Sequence, residues 1–393
     1  MGRGLTVLFA IAGGSAVGNL YWAQPLLGDI GDDVQASAGA TGLLVTVTQV
    51  GYALGVFFVV PLGDSVNRRK LIPTMMGLCT LALLATAFAP GFGVLIGAVA
   101  AVGVTTVAGQ MLTPLAGDLA DDAHRGQILG TVASGLILGI LISRVVSGFV
   151  ADAFGWRSVF VIAALLTFVL GTLLAWRLPS LKTRAAVPYG ELLLSVLTTV
   201  RRSATVRVTM VLGAAVMSVF TIFWTGLTFL LSAGPFYFSV SQIGLVSLVA
   251  VVGALAAQRV GRLFDRGLAL PTIGVGLALT LVSLVIAGVG GASLAGVVVA
   301  VGLLSVGIQS VQVLLQTRML SLEPSARSRL NTAFVVGNFV GGAFGSTVAG
   351  MLWGVSGWSG LMVVASCLIG FALVVWAVHR AQNAKQTVNE LSA

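Results

Sequence analysis

Twelve stretches of this chain are apolar enough and long enough to cross a bilayer, and only one carries a formal charge well inside it, Arg144. Crossing the hydrocarbon takes about 20 mostly apolar residues in a helix. The runs fall at residues 5–27, 40–61, 71–89, 93–116, 128–151, 158–176, 206–232, 241–258, 268–288, 292–316, 330–352 and 360–378. Charged residues make up 8% of the chain against 57% hydrophobic, too little charge to cover a soluble surface. The expected fold class is an all-α polytopic membrane protein. Arg3 followed by a small-residue run resembles a secretory leader, but with eleven spans after it the run reads as the first helix.

Basic residues set the expected orientation. With the N-terminus inside, Arg3, Arg68, Arg69, Lys70, Arg125, Arg177, Lys182, Arg184, Arg201, Arg202, Arg207, Arg259, Arg262, Arg266, Arg318, Arg327, Arg329, Arg380 and Lys385 all fall in cytoplasmic segments, 19 of the 21 Lys plus Arg. Only Arg157 falls outside. This bias predicts that both termini are cytoplasmic, and the inner (plasma) membrane is the expected location. The net charge of +9 then faces the anionic leaflet, so nucleic acid is not an expected partner. Cys79 and Cys367 lie within spans as small packing residues, and His124 and His379 lack companions at ligand spacing. Neither a metal nor a cofactor is expected.

The chain repeats itself at an offset of 201–202 residues. Gly155-Trp156 matches Gly357-Trp358, Asp64 matches Asp265, and Arg125 matches Arg327. Gly135, Gly139, Ser143 and Ser147 match Gly337, Gly341, Gly345 and Ala349. The repeat gives two six-helix bundles, 1–178 and 206–380, with a linker at 179–205 and a tail at 381–393. Small residues every fourth position let helices approach closely in lipid. Gly14 and Gly18, and Gly51 and Gly55, offer shorter stripes. Static packing is the plainer use of such stripes, and surfaces that slide are the other.

These residues resemble the major facilitator superfamily, whose members are built from two parallel six-helix halves. Pro61-Leu62-Gly63-Asp64-Ser65-Val66-Asn67-Arg68-Arg69-Lys70 is similar to the signature loop between the second and third helices. It departs where Val60, Ser65 and Asn67 replace two glycines and an arginine. Gly261-Arg262-Leu263-Phe264-Asp265-Arg266-Gly267 is its counterpart in the second half. Gly130, Gly139 and Gly148 stand in register with the antiporter signature of the fifth helix, but Ser143-Arg144 replaces its Gly-Pro pair. The arginine of the fourth-helix signature is missing, since Val99 stands four residues before Gly103.

The resemblance implies a secondary transporter of a small molecule, working by alternating access, with the degenerate fifth-helix pattern tilting towards efflux and proton antiport. Uptake by symport or facilitation of a neutral or anionic metabolite, and a transport-silent receptor, stay open. An intramembrane enzyme is not expected, since the spans hold no His, Asp, Glu or Lys. A monomer in the bilayer is expected. It also implies a conformational gate at Asp64, Arg68 and Arg69 and at Asp265, Arg262 and Arg266, where an aspartate meets the start of a helix near Asn331 or Gln127. The plainer reading is a solvated topogenic cluster.

Substrate candidates are the polar and aromatic residues of the helices that the resemblance places around the central cavity. They are Asn19, Tyr21, Gln24, Gln49, Tyr52, Gln110, Arg144, Trp224, Gln309, Gln312 and Asn338. Amides in membrane helices are often only interhelical ties. Arg144, about seven residues or roughly 10 Å from the outer end, either faces a cavity or snorkels towards Asp152. With no acid inside a span, proton coupling would use Asp29 or Asp152 at the outer mouth, or a proton carried by the substrate. The set suits neutral or anionic molecules better than cations.

Overall fold

The computed structural model describes residues 2–121, 124–179, 188–323 and 326–392, with the side chains of 64, 261, 262, 265 and 383–392 outside that description. Among the described residues, sixteen α-helices follow in order. The first eight are α1 Arg3–Gly18, α2 Leu27–Val34, α3 Ala38–Phe58, α4 Leu62–Ser65, α5 Arg68–Ala87, α6 Phe92–Thr105, α7 Ala108–Leu119 and α8 Arg125–Phe154. The rest are α9 Trp156–Arg177, α10 Tyr189–Arg202, α11 Ala204–Ser232, α12 Val240–Val246, α13 Val251–Asp265, α14 Ala269–Gly290, α15 Leu294–Ser321 and α16 Arg327–Ser392. Ten helical segments are long and apolar enough to cross a membrane among the described residues.

Two departures from the expected spans have local causes. The first run is not one helix over 5–27. α1 stops at Gly18, and the chain passes through turns and a 3-10 turn, Gln24–Leu26, into α2. Pro25 lacks the N–H that a continuing helix would need. The fourth run breaks between α6 and α7 at Thr106, whose hydroxyl bonds the Ala16 carbonyl at 2.6 Å instead of staying in its own helix. Between the eleventh and twelfth runs, α16 is two helices that meet at a kink at Gly357, with φ 57° and ψ −156°. Gly155, its repeat partner, sits at φ 79° and ψ 159° between α8 and α9. Only glycine adopts such backbone readily, which explains why both Gly-Trp pairs carry it.

Caps supply the other boundaries. Ser37 receives the Ala40 N–H at the start of α3, and Asn67 receives the Arg69 N–H at the start of α5. Ser239 and Gln242 form a reciprocal capping box on α12. The linker holds a helix that sequence reading did not anticipate, α10, with Val196 buried and Leu194 and Leu197 exposed. Tyr189 Oη bonds the Phe58 carbonyl at 2.6 Å and ties its start to the end of α3. Lys182 and Arg184 lie outside the described residues.

Contacts divide the chain into two compact units, residues 1–194 with 227–248, and residues 195–226 with 249–393. In the first, the small-residue stripes of α1 and α8 meet. A Cβ at Gly139 would fall 2.1 Å from the Gly14 carbonyl oxygen, and one at Gly135 2.4 Å from that of Ala10. In the second, α11 and α16 meet the same way, with Gly341 against Ala214 and Gly345 against Ser218, both at 2.2 Å. α3 packs on α6 through Gly51, Gly55 and Gly103, and α13 packs on α15 through Gly253 and Ser305. These stripes are closed contacts inside each unit, the static use of the two open in the sequence. An apolar groove of about 390 Å³ beside the α1–α8 contact, lined by Val7, Ile11, Leu138, Ile142 and Leu166 among others, holds none of the candidate residues.

Candidate functional site

The break after α1 puts Asn19, Tyr21, Trp22 and Gln24 on turns held by short-range backbone bonds, such as Tyr21 N–H to the Gly18 carbonyl at 2.8 Å. Asn19 is consumed by structure. Its Oδ1 accepts from Trp22 Nε1 at 2.9 Å, and its Nδ2 reaches Thr106 and Thr167 hydroxyls at 3.3 Å and Cys79 Sγ at 3.5 Å. One buried amide therefore joins α5, α9 and the α6–α7 break to the end of α1. The partners Trp22, Cys79, Thr106 and Thr167 were not among the expected site residues, since nothing in their spacing announces a shared partner.

Arg144 faces protein rather than the outer water. It is 3% exposed, its Nη2 donates to Gln24 Oε1 at 2.6 Å, and its guanidinium lies 5.2 Å from the centroid of the Tyr21 ring. Snorkelling to Asp152 is therefore not the conformation adopted. Ser147, one turn on, donates to the Trp22 carbonyl at 2.8 Å and fixes α8 against the same turn. The replacement of a Gly-Pro pair by Ser143-Arg144 leaves α8 unbroken from Arg125 to Phe154.

The second cluster member from α3 is Tyr52, 1% exposed, whose hydroxyl accepts from Gln110 Nε2 of α7 at 3.1 Å. Gln49 sits one turn before Tyr52 with 0% exposure, and neither its Nε2 nor its Oε1 has a hydrogen-bond partner. Gln24 Nε2 is likewise buried without one. Buried amide atoms left unpaired cost about 1–3 kcal/mol each, so their presence asks for an explanation.

In the second unit, Asn338 Nδ2 donates to Gln312 Oε1 at 3.0 Å, and Gln312 Nε2 donates to the Gly213 carbonyl at 3.3 Å. That ties α16 to α15 and α11. Gln309 is half-buried one turn earlier. Trp224 is buried in an aromatic group with Phe220 and Phe223, both at 6.2 Å between centroids.

Of the expected gate residues, Arg68 is committed within its own unit. Its Nη1 meets Asp118 at 3.1 Å, and its Nε donates to the Gly63 carbonyl at 2.7 Å. Arg69 and Arg266 are exposed. The side chains of Asp64, Arg262 and Asp265 lie outside the described residues.

The arginine-poor end of the first unit holds a feature that sequence reading passed over. Residues 233–248 follow α11 and pack on α8. A Cβ at Gly148 would fall 2.6 Å from the Val240 carbonyl oxygen, and one at Gly244 2.8 Å from that of Arg144. The Asp152 carboxylate accepts the Ser241 N–H at 3.0 Å, at the start of α12. Nearby, Arg157 pairs with Asp33 and stacks on Trp156 at 4.3 Å, and its hydrogen bond holds the Asp33 carboxyl below the usual range. Asp29 moves the other way: burial first, then the Asp152 and Asp32 charges, push its carboxyl up.

With this geometry in hand, the comparisons are consistent. The sequence model of the Major Facilitator Superfamily matches residues 7–322. The chain is 38% identical over 383 residues to a protein of Escherichia coli O157:H7 named Uncharacterized transporter YgaY, covering 97% of each. It is 35% identical over 376 residues to a probable transporter of Streptomyces coelicolor, covering 95% of this chain and 87% of the other. A crystal structure of a bacterial homologue of the human lysosomal transporter Spinster shares the fold, with a TM-score of 0.78 at 14% identity, covering 95% and 96% of the two chains. The signature loop, the duplicated helix pairs and these matches agree: the chain belongs to the Major Facilitator Superfamily, a family of membrane transporters.

Proposed function

We propose that the chain is a secondary active transporter that exports a small organic molecule across the plasma membrane by alternating access, with protons as the counter-ion. The observation that carries the reading is the duplicated packing. α1 closes on α8 through Gly14 and Gly139 just as α11 closes on α16 through Ala214 and Gly341, and α3–α6 repeats as α13–α15. Two bundles built alike are what a rocking mechanism needs. The seam between α8 and residues 240–244 supplies a contact that such rocking would open and close. Its glycines allow close approach without large side chains to interlock.

The basic bias of the sequence supports cytoplasmic termini and puts Asp29, Asp152 and the seam at the outer face. Asp29, with its raised carboxyl, is the group suited to exchange protons there. At the opposite face, Asp64 and Asp265 are the residues assigned to the inner gate.

The test is flux in proteoliposomes. An imposed pH gradient, acid on the outer side, should drive export and should accelerate when steepened. Flux that ignores the gradient removes proton coupling, and absence of any flux removes the transport reading. Asp64→Asn should slow transport several-fold with substrate affinity unchanged, whereas wild-type rates would leave the loop as a topogenic cluster.

A further inference from the structure

We infer that the outward face of α10 rests on the anionic surface of the inner leaflet. Leu194 and Leu197 enter the lipid, and Arg201, Arg202 and Arg207 meet headgroup phosphates. The inference rests on the reading of the apolar helices as membrane spans with the linker on the inner side.

Helix geometry sorts the linker residues. α10 runs for 14 residues, Tyr189–Arg202, and the periodicity of a single helix fixes which side chains share a face. At about 100° per residue, Leu194, Leu197 and Arg201 fall within roughly 60° of one another. Glu191, Thr198 and Arg202 fall together about a quarter turn round. All six are exposed, Leu194 to 60% and Leu197 to 50%, whereas Val196 on the far side is buried. The exposed surface is therefore two strips, an apolar one ending in an arginine and a polar one beside it. Such a division suits a helix lying in an interface, with lipid on one side and water on the other.

Chain connections set the depth. Tyr189 Oη holds the start of α10 to the carbonyl of Phe58, the last residue of α3. At the other end, Arg202 is followed by Ser203 and then by α11. Both α3 and α11 are long and apolar enough to cross a membrane. α10 thus begins and ends where spans leave the hydrocarbon, which is the level of the headgroups.

The charge names the lipid. Arg207 Nη1 donates to the carbonyls of Val200 and Arg201, so a third guanidinium sits against the last turn of α10 beside Arg201 and Arg202. None of the three has an acid partner among the described residues. Glu191 stands ten residues from Arg201, about 15 Å along the axis and beyond the screening length in physiological salt. Arg202, on the polar strip, reaches the headgroups along its own stem. Three guanidiniums at the end of an apolar strip complement a layer that sets phosphates above acyl chains. A free anion would satisfy the arginines but leave the leucines in water.

The test uses the full-length protein in nanodiscs of phosphatidylcholine, with and without phosphatidylglycerol. An environment-sensitive fluorophore is attached through Leu197→Cys or, as the aqueous control, Thr198→Cys. Both are made in a Cys367→Ser background that removes the exposed native thiol, and melting temperatures check that each variant is folded. Spin-labelled lipid should quench the label at 197, and a water-soluble quencher the label at 198. Phosphatidylglycerol should strengthen the lipid quenching at 197. Arg201→Gln and Arg202→Gln should each lower the ratio of docked to free label about fivefold, the equivalent of about 1 kcal/mol per arginine at an anionic surface. Arg201→Lys should retain it.

Four results overturn the proposal. A label at 197 open to the aqueous quencher in both discs would put the face in water. Shielding from both quenchers would put protein over it. Lipid quenching that ignores phosphatidylglycerol and both arginine variants would leave no part for anionic headgroups. Displacement by inorganic phosphate, where chloride at equal ionic strength does nothing, would make the arginines a site for free anions. Topology is read separately: an impermeant maleimide reaching Thr198→Cys from outside intact cells would remove the inner-side reading, while the disc experiment alone decides the lipid contact.

Discussion

Asn19 and Gln49 carry the same functional group, and the fold puts them to opposite uses. Both stand in apolar runs and both were expected as substrate contacts, because an amide in a membrane helix reads the same whether it ties helices or waits for a ligand. Only the neighbours decide. Asn19 meets Trp22, Thr106, Thr167 and Cys79, residues 3 to 148 positions away in sequence, so no local pattern could have revealed the knot. Gln49 meets none. The contrast gives a prediction. Asn19→Leu strands the buried Trp22 Nε1 donor and frees four elements from a common tie, at a cost on the order of 2 kcal/mol. The detergent-solubilised protein should melt several degrees lower, while the folded fraction keeps its ligand affinity. An unchanged melting temperature would mean that the knot contributes nothing. Arg144 was the most legible residue of all, since a lone buried charge in an apolar run must face protein or a wet cavity. The sequence left open which way it turned, and the contact with Gln24 answers that.

Elements were legible where they are apolar and long, and obscure where a polar break interrupts them. The turns after α1 and the break at Thr106 both occur where side chains compete for backbone partners, and a hydropathy window averages across them. α10 escaped notice because an amphipathic helix of ordinary composition has no hydropathic signature among polar neighbours. The glycine stripes were legible as stripes but not as pairs, because small residues every fourth position say that a helix will be approached and not by which. The structure distinguishes glycines that the antiporter resemblance treats alike. Gly139 faces the Gly14 backbone, where a Cβ would sit 2.1 Å from oxygen, whereas Gly130 has nothing within 4 Å of its Cβ position. Gly139→Val should therefore force α1 from α8 and destabilise the protein by about 1–3 kcal/mol. Gly130→Ala should instead be neutral or stabilise by about 0.5–1 kcal/mol through helix propensity. Thermal melts of the two variants side by side check this. Equal effects would show that the close contact does not govern stability.

On the scale of the whole molecule, the duplication was legible from the 201–202 residue offset, and the paired contacts repeat it in space. Less legible was that residues 227–248, which the offset assigns to the second half, group with the first unit. The features that hold them are glycines without spacing of their own and the carboxylate of Asp152, which reads in sequence as one more outer acid. Alternating access makes a strong claim on this seam: if the outer face opens in each cycle, Ser241 must leave Asp152 and Gly244 must leave the Arg144 carbonyl. A contact of this kind, a carboxylate on a helix start, is worth up to about 2 kcal/mol, so breaking it shifts an equilibrium by roughly a factor of 30 at most. Thermal motion and a bound ligand can supply that, but a covalent bridge forbids it. Asp152→Cys with Ser241→Cys, in a Cys367→Ser background that removes the exposed native thiol, should therefore lose counterflow when a short bis-thiol reagent joins the pair. Activity should return on reduction, and each single variant should be insensitive to the reagent. Full counterflow with the bridge demonstrably formed would mean that the seam stays shut throughout the cycle, and the outer path would have to run elsewhere.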